Sequence, residues 1–117
     1  MQYISTYLYI KAMSAATVFR VLADPTRLAV LENVMRQEMT VTDLTARFAV
    51  SQPAISQHLA LLRESGLVMR RREGRQIFYR ANANGLRPMF SWIDEYRTFW
   101  QERMPRLRTL LREMRDE

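Results

Sequence analysis

The chain has 117 residues, 48% hydrophobic and 26% charged, with no cysteine and a formal charge of +6. That length supports one hydrophobic core rather than two, and the composition is globular. Without cysteine there is no disulfide, thiolate metal site or cysteine nucleophile, and no apolar run approaches the roughly 18–20 residues that cross a bilayer.

The chain opens MQYISTYLYI, which is apolar but lacks a basic n-region and a small-residue cleavage site. No export signal is therefore expected, and the cytoplasm is the expected location. Residues 1–13 read as an N-terminal extension. A Tyr-rich apolar segment orders only by packing, so it is expected to pack on a dimer or pair across subunits, as helix or strand. Ala15–Leu22 places Val18, Phe19 and Leu22 at helical spacing. Asp24-Pro25 starts the next helix, with Asp as cap and Pro in the first turn. It runs to about Arg36 with Leu28, Leu31 and Met35 on one face.

Thr40-Val41-Thr42-Asp43 has the form of a capping box opening a short helix that ends near Phe48. After Ala49-Val50, Ser51 caps a third helix, with Pro53 in its first turn and Gly66 as its stop. A short helix, a tight turn and a longer helix over residues 40–65 is helix-turn-helix arithmetic. Ala54, Ile55, Leu59, Leu61 and Leu62 form the apolar arc of the third helix; Gln52, Pro53, Ser56, Gln57, Ala60 and Arg63 lie opposite. Gln and Ser suit base edges and phosphates, and they suit water as well.

Residues 67–81 change character. Leu67–Arg72 and Gln76–Ala81 are strand-length pieces on either side of Glu73-Gly74, a dipeptide suited to a tight turn. A helix-turn-helix followed directly by a basic hairpin is a winged helix. From Asn84 onward one long helix is expected over 84–114, with Leu86, Met89, Phe90, Ile93, Arg97, Trp100, Met104, Leu107, Leu111 and Met114 spaced by threes and fours. Pro105 falls inside this pattern and is expected to kink or break it near Arg103. The stripe is longer and more aromatic than one small domain buries alone, so a second copy of the chain is expected to cover it. The fold class is thus mainly α with a β-hairpin wing: a single winged helix-turn-helix domain with a long C-terminal helix.

The charge is local. Residues 63–80 hold Arg63, Arg70, Arg71, Arg72, Arg75 and Arg80 against Glu64 and Glu73. Such a patch attracts a polyanion, and charge alone does not separate that from a solvated basic surface.

ADPTRLAVL, VTDL, SQPAISQHLALLRESGLV and RREGRQIFY, in this order, resemble the ArsR-type winged-helix transcriptional regulators, over Ala15 to Phe99. The resemblance implies a homodimer built mainly from the first and last helices, which sets a recognition helix in each major groove and a wing along the backbone of double-stranded DNA. It implies a repressor that acts near its own promoter and leaves when an effector arrives. The metal-sensing branch carries a cysteine pair, or His and carboxylates on the last helix. VTDLTARF has no Cys, and Asp94, Glu95 and Glu102 make a poor soft-metal site. The chain resembles instead a branch whose last helix reads W-x-x-x-Y-x-x-F-W, here Trp92, Tyr96, Phe99 and Trp100. No metal and no cofactor are expected.

The residues expected to contact DNA are Ser51, Gln52, Pro53, Ser56, Gln57, His58, Arg63, Arg72, Arg75 and Gln76. His58, the only histidine, lies beside Ile55, Leu59 and Leu62 on the wheel, a boundary position facing a phosphate or a backbone group rather than a catalytic one. Arg27 is read as a structural bridge to Asp24 or a neighbouring acid. Phe19, Met89, Ile93, Tyr96, Trp100 and Leu107 are expected at the dimer interface, where an unidentified small-molecule effector has room to bind. A winged-helix protein-interaction module is the alternative, disfavoured by the Gln/Ser face. An enzyme is excluded by the lack of paired carboxylates or a nucleophile with its base. An effector-free regulator, controlled by its own concentration, stays open beside the ligand-responsive one.

Overall fold

In the computed structural model, residues 6–116 are described. Six helices and one hairpin follow in order: α1 (Thr6–Val21), α2 (Pro25–Arg36), α3 (Val41–Thr45), α4 (Gln52–Glu64), β1 (Val68–Glu73), β2 (Gln76–Ala81), α5 (Ala83–Glu95) and α6 (Arg97–Asp116).

The caps explain most of these boundaries. Asp24 accepts the N–H of Arg27 at 3.0 Å, with Pro25 opening α2. Thr40 and Asp43 form a reciprocal capping box on α3. That helix is shorter than expected, because after Thr45 its backbone tightens to Arg47 N–H on the Leu44 carbonyl and Phe48 N–H on that of Thr45. Ser51 caps α4 through Ala54 N–H at 3.2 Å. At the other end of α4, Gly66 adopts φ +77. Its N–H reaches the Arg63 carbonyl and that of Leu67 reaches Leu62, a Schellman closure that needs the left-handed residue.

Val30, Leu31, Val34, Leu44, Ile55, Leu59, Leu62, Leu67 and Leu86 meet in one core, with Val18 of α1 and Leu22 just past its end at the edge. The wing pairs antiparallel from Val68↔Ala81 to Glu73↔Gln76. Its two loop residues are therefore Gly74-Arg75, one position beyond the expected Glu73-Gly74. Only Gly74 takes a positive φ, +62, as the first position of a type II′ turn requires. Met39 adds a third short rung by exchanging both backbone hydrogen bonds with Tyr79.

Asn82 joins three elements. Its backbone N–H bonds the Leu67 carbonyl, its amide nitrogen donates to the Gly66 carbonyl at 2.9 Å, and its side-chain oxygen caps α5. Gly85 comes so close to the Gly66 carbonyl that a Cβ there would lie 1.8 Å from that oxygen.

The N-terminal segment is helical from Thr6 as part of α1; Met1–Ser5 lie outside the described residues. The single long C-terminal helix is not found. It parts at Tyr96, whose φ −98 and ψ 6 leave the helical region and whose N–H closes on the Ile93 carbonyl at 3.2 Å. Pro105, expected to break the helix, lies inside α6. Proline removes one donor, and on this exposed helix water is free to take the stranded Gln101 carbonyl. Asp94 and Arg97 pair across the junction at 3.5 Å.

Candidate nucleic-acid interface

On α4, Ile55, Leu59 and Leu62 are fully buried, which holds the helix by one face and turns the other outward. Gln52, Pro53, Ser56, Gln57 and Arg63 are exposed there, all positions expected to contact DNA. Ser51 is exposed too. Its oxygen accepts the Ala54 N–H as the helix cap, which leaves the hydroxyl proton to donate outward. His58 is half-buried, the boundary position expected of it. The Asp24 carboxyl is held below the usual carboxylate range first by the Arg27 N–H and, less, by the field of His58. Arg27 is structural, though its partner is a carbonyl rather than an acid: its Nε donates to the Val21 oxygen and ties α1 to α2.

The wing arginines divide into two kinds. Strand alternation sets Arg70 and Arg72 on the face that carries Tyr79 and Ile77, and Arg71 on the opposite face with Phe78. Arg71 is occupied. Its Nε donates to Glu38 and its Nη1 to Glu73, each at 2.6 Å, and its guanidinium lies over the Phe78 ring. Those carboxylates raise its pKa, Glu73 first. Arg63, Arg70, Arg72 and Arg75 form no ion pair among the described residues. Arg75 and Gln76 line a groove with Thr40, Val41, Thr42, Asp43 and Ile77, so the wing tip and the first helix of the helix-turn-helix share one concave surface. Thr42 on that groove escaped the sequence reading; only the folded hairpin brings it beside Arg75.

The expected dimer residues do not form one class. Phe19 stacks edge-on against Trp92 at 5.7 Å, and Trp92 tilts onto Tyr96 at 5.0 Å, which joins α1 to α5 within one chain. Lys11 pairs with Glu95 at 2.5 Å across the same junction. Phe19 and Tyr96 nevertheless stay partly exposed, as do Ile93 and Leu107, whereas Met89 packs against the core. The Trp100 side chain lies outside the described ones. Among the described residues no three His, Asp or Glu side chains gather as a metal site, and no helix is long and apolar enough to cross a membrane.

A helix-turn-helix with an exposed, hydrogen-bonding outer face and an adjoining basic hairpin defines a winged-helix DNA-binding domain. The family model described as bacterial regulatory protein, arsR family, matches residues 24–70. The chain is 44% identical to the HTH-type transcriptional regulator KmtR of Mycobacterium tuberculosis, over 62% of this chain and 55% of that protein. It is 33% identical to the transcriptional repressor SdpR of Bacillus subtilis, over 65% of this chain and 84% of SdpR. Among solved structures it is similar to an ArsR-like transcriptional regulator from Rhodococcus sp. RHA1, with 30% identity, a TM-score of 0.63, and 85% and 93% of the two chains covered. The chain spans a little over half to two thirds of the length of several curated relatives it matches. It belongs to the ArsR family of transcriptional regulators, which bind DNA, typically as dimers, and are not enzymes.

Proposed function

We propose that this chain is a cytoplasmic homodimeric repressor that binds a pseudo-palindromic operator in its own or a neighbouring promoter. The observation that carries the reading is the outer face of α4. Three fully buried side chains fix its direction, and Gln52, Ser56 and Gln57 project from it uncharged and hydrogen-bonding. A face evolved only for solvation or for an acidic partner has no need of amide groups; amides pair with base edges in the major groove. Gln57 and Gln52 read bases, Ser51, Ser56 and His58 seat the helix, and Arg63, Arg72, Arg75 and Gln76 hold phosphates. Two-fold symmetry then sets the half-sites about one helical turn, ~34–36 Å, or a multiple apart. An effector, if the protein answers one, would act at the aromatic junction of α1 with α5.

Fluorescence anisotropy of the purified protein on the DNA upstream of its own gene and on a scrambled duplex, each at two salt concentrations, tests this. A preference that survives the higher salt supports operator binding. Equal binding that vanishes with salt refutes it and favours a protein-interaction module. Gln57→Ala is expected to cost about 1–3 kcal/mol on the operator and less on the scrambled duplex. Arg75→Ala is expected to weaken both alike and lower the salt slope by about one. Identical behaviour of the two variants would refute the division of labour.

A further inference from the structure

We infer that Arg71 latches the wing to the helix-turn-helix, a positioning residue for DNA binding that does not itself touch DNA. The inference rests on the operator-binding reading above. Arg71 sits between Arg70 and Arg72, and its charge alone would make it a phosphate ligand like them. Its contacts say otherwise. One edge of the guanidinium holds Glu38 and another holds Glu73, both at 2.6 Å, while its flat face covers the Phe78 ring 4.7 Å away. Two of its five N–H groups are engaged and its charge is balanced by two carboxylates, so Arg71 offers a phosphate less than the unpaired Arg70 and Arg72 do.

The place of Glu38 gives this arrangement its consequence. Glu38 lies in the turn from α2 to α3, next to Met39, whose backbone pairs with Tyr79 at the base of the wing. Toward the tip, β1 is exposed throughout, whereas β2 keeps Ile77 and Phe78 half-buried, with Ile77 packed against the core. Among the described residues, Arg71 to Glu38 is the only side-chain hydrogen bond from either strand to another element. The hairpin is therefore held by backbone at Tyr79, by Ile77 on the face toward the core, and on the opposite face by this pair alone. Without the pair, only the half-buried Ile77 steadies the arm that carries Arg72 and Arg75, and DNA would have to order it further on binding.

Glu38→Gln separates this from simple charge. It removes an acid close to the DNA-binding surface, so electrostatics alone predicts tighter binding to every duplex. The latch predicts the opposite sign, and only where the wing has DNA to touch. Anisotropy would compare a short duplex limited to the half-sites with a longer one extended beyond both. Expected is a loss of about fivefold on the long duplex, the size a networked surface ion pair supplies, and little change on the short one. Arg71→Lys, which keeps the charge but not the fork, should share the loss, and Arg71→Gln combined with Glu38→Gln should bind no worse than Arg71→Gln alone. Equal or tighter binding of Glu38→Gln to the long duplex overturns the latch. So does equal weakening on both duplexes, which marks a general structural defect. If the wild type prefers no operator, the regulator reading itself fails; if it does and Glu38→Gln is unchanged, only the latch fails.

Discussion

Around α4 the inward positions are closed: Ile55, Leu59 and Leu62 are fully buried among α2, α3 and the wing base. Along α6 the same three-and-four spacing leads nowhere within the chain, and Leu107, Leu110, Leu111 and Met114 stay 42–69% exposed. α1 repeats the contrast in one helix. It buries Ala15 and Val18 against the body and presents Tyr9, Ile10 and Met13 to solvent. The radius of gyration, 18.3 Å, exceeds the ~13 Å of a compact chain this long because α6 stands away from the core. The helix-turn-helix and wing base complete their own core; the α1 and α5–α6 arm carries apolar surface whose burial requires another molecule.

The sharpest way to break this comparison is to truncate one leucine in each region. Leu59→Ala is expected to cost about 3 kcal/mol, transfer plus cavity, read as a fall in the denaturant midpoint. Leu111→Ala should cost under about 0.5 kcal/mol in protein dilute enough to be monomeric. Comparable losses would mean that α6 packs within its own chain. A second substitution sharpens the point at the assembly level. Leu107→Glu with Leu111→Glu should weaken self-association on the order of a hundredfold in sedimentation, while the helical signal of the monomer persists. Unchanged association would place the second copy elsewhere.

The region legible in the sequence is the one that closes on itself. Asp24-Pro25, the Thr40–Asp43 box, Ser51 and Gly66 are local signals, each satisfied within four residues, and all four act as caps or stops in the structure. The polar outer face of α4 followed from the same periodicity, but Leu61, read onto the apolar arc, is exposed. What stayed hidden depends on distant partners. Arg71 is one of six arginines in a basic stretch until Glu38, 33 residues away, selects it. Asn82 and Gly85 carry no local signal of their role; they matter because the end of α4 meets both. The break at Tyr96 was misplaced to Pro105 because proline is the stronger local signal, yet an exposed helix tolerates it. Ring contacts from Phe19 through Trp92 to Tyr96 bind α5 to α1, and beyond Tyr96 α6 runs on outside the core.

The smallest expected effect distinguishes the two regions by pH. Asp24 caps α2 in the helix-turn-helix unit, and its carboxyl lies below the usual 3.8, chiefly through the Arg27 N–H. A depressed carboxyl contributes stability that is present above pH 3.8 and lost as pH falls through the lowered value. Lys11 ties α1 to α5 in the arm, and its pKa lies above the usual 10.5, chiefly through its hydrogen bond to Glu95. A raised amine contributes stability that is full below pH 10.5 and lost as pH rises through the raised value. Both tryptophans, Trp92 and Trp100, lie in the arm. Indole fluorescence therefore follows the arm, and circular dichroism follows the whole chain. Asp24→Asn should flatten the acid limb of the dichroism melting profile and leave the alkaline fluorescence limb alone; Lys11→Met should do the reverse. Each pair is exposed enough that the shifts will be small, but their independence is the point. If Lys11→Met moved the acid limb as much as Asp24→Asn does, the arm and the helix-turn-helix would melt as one unit, and the contrast in burial would have no counterpart in cooperativity.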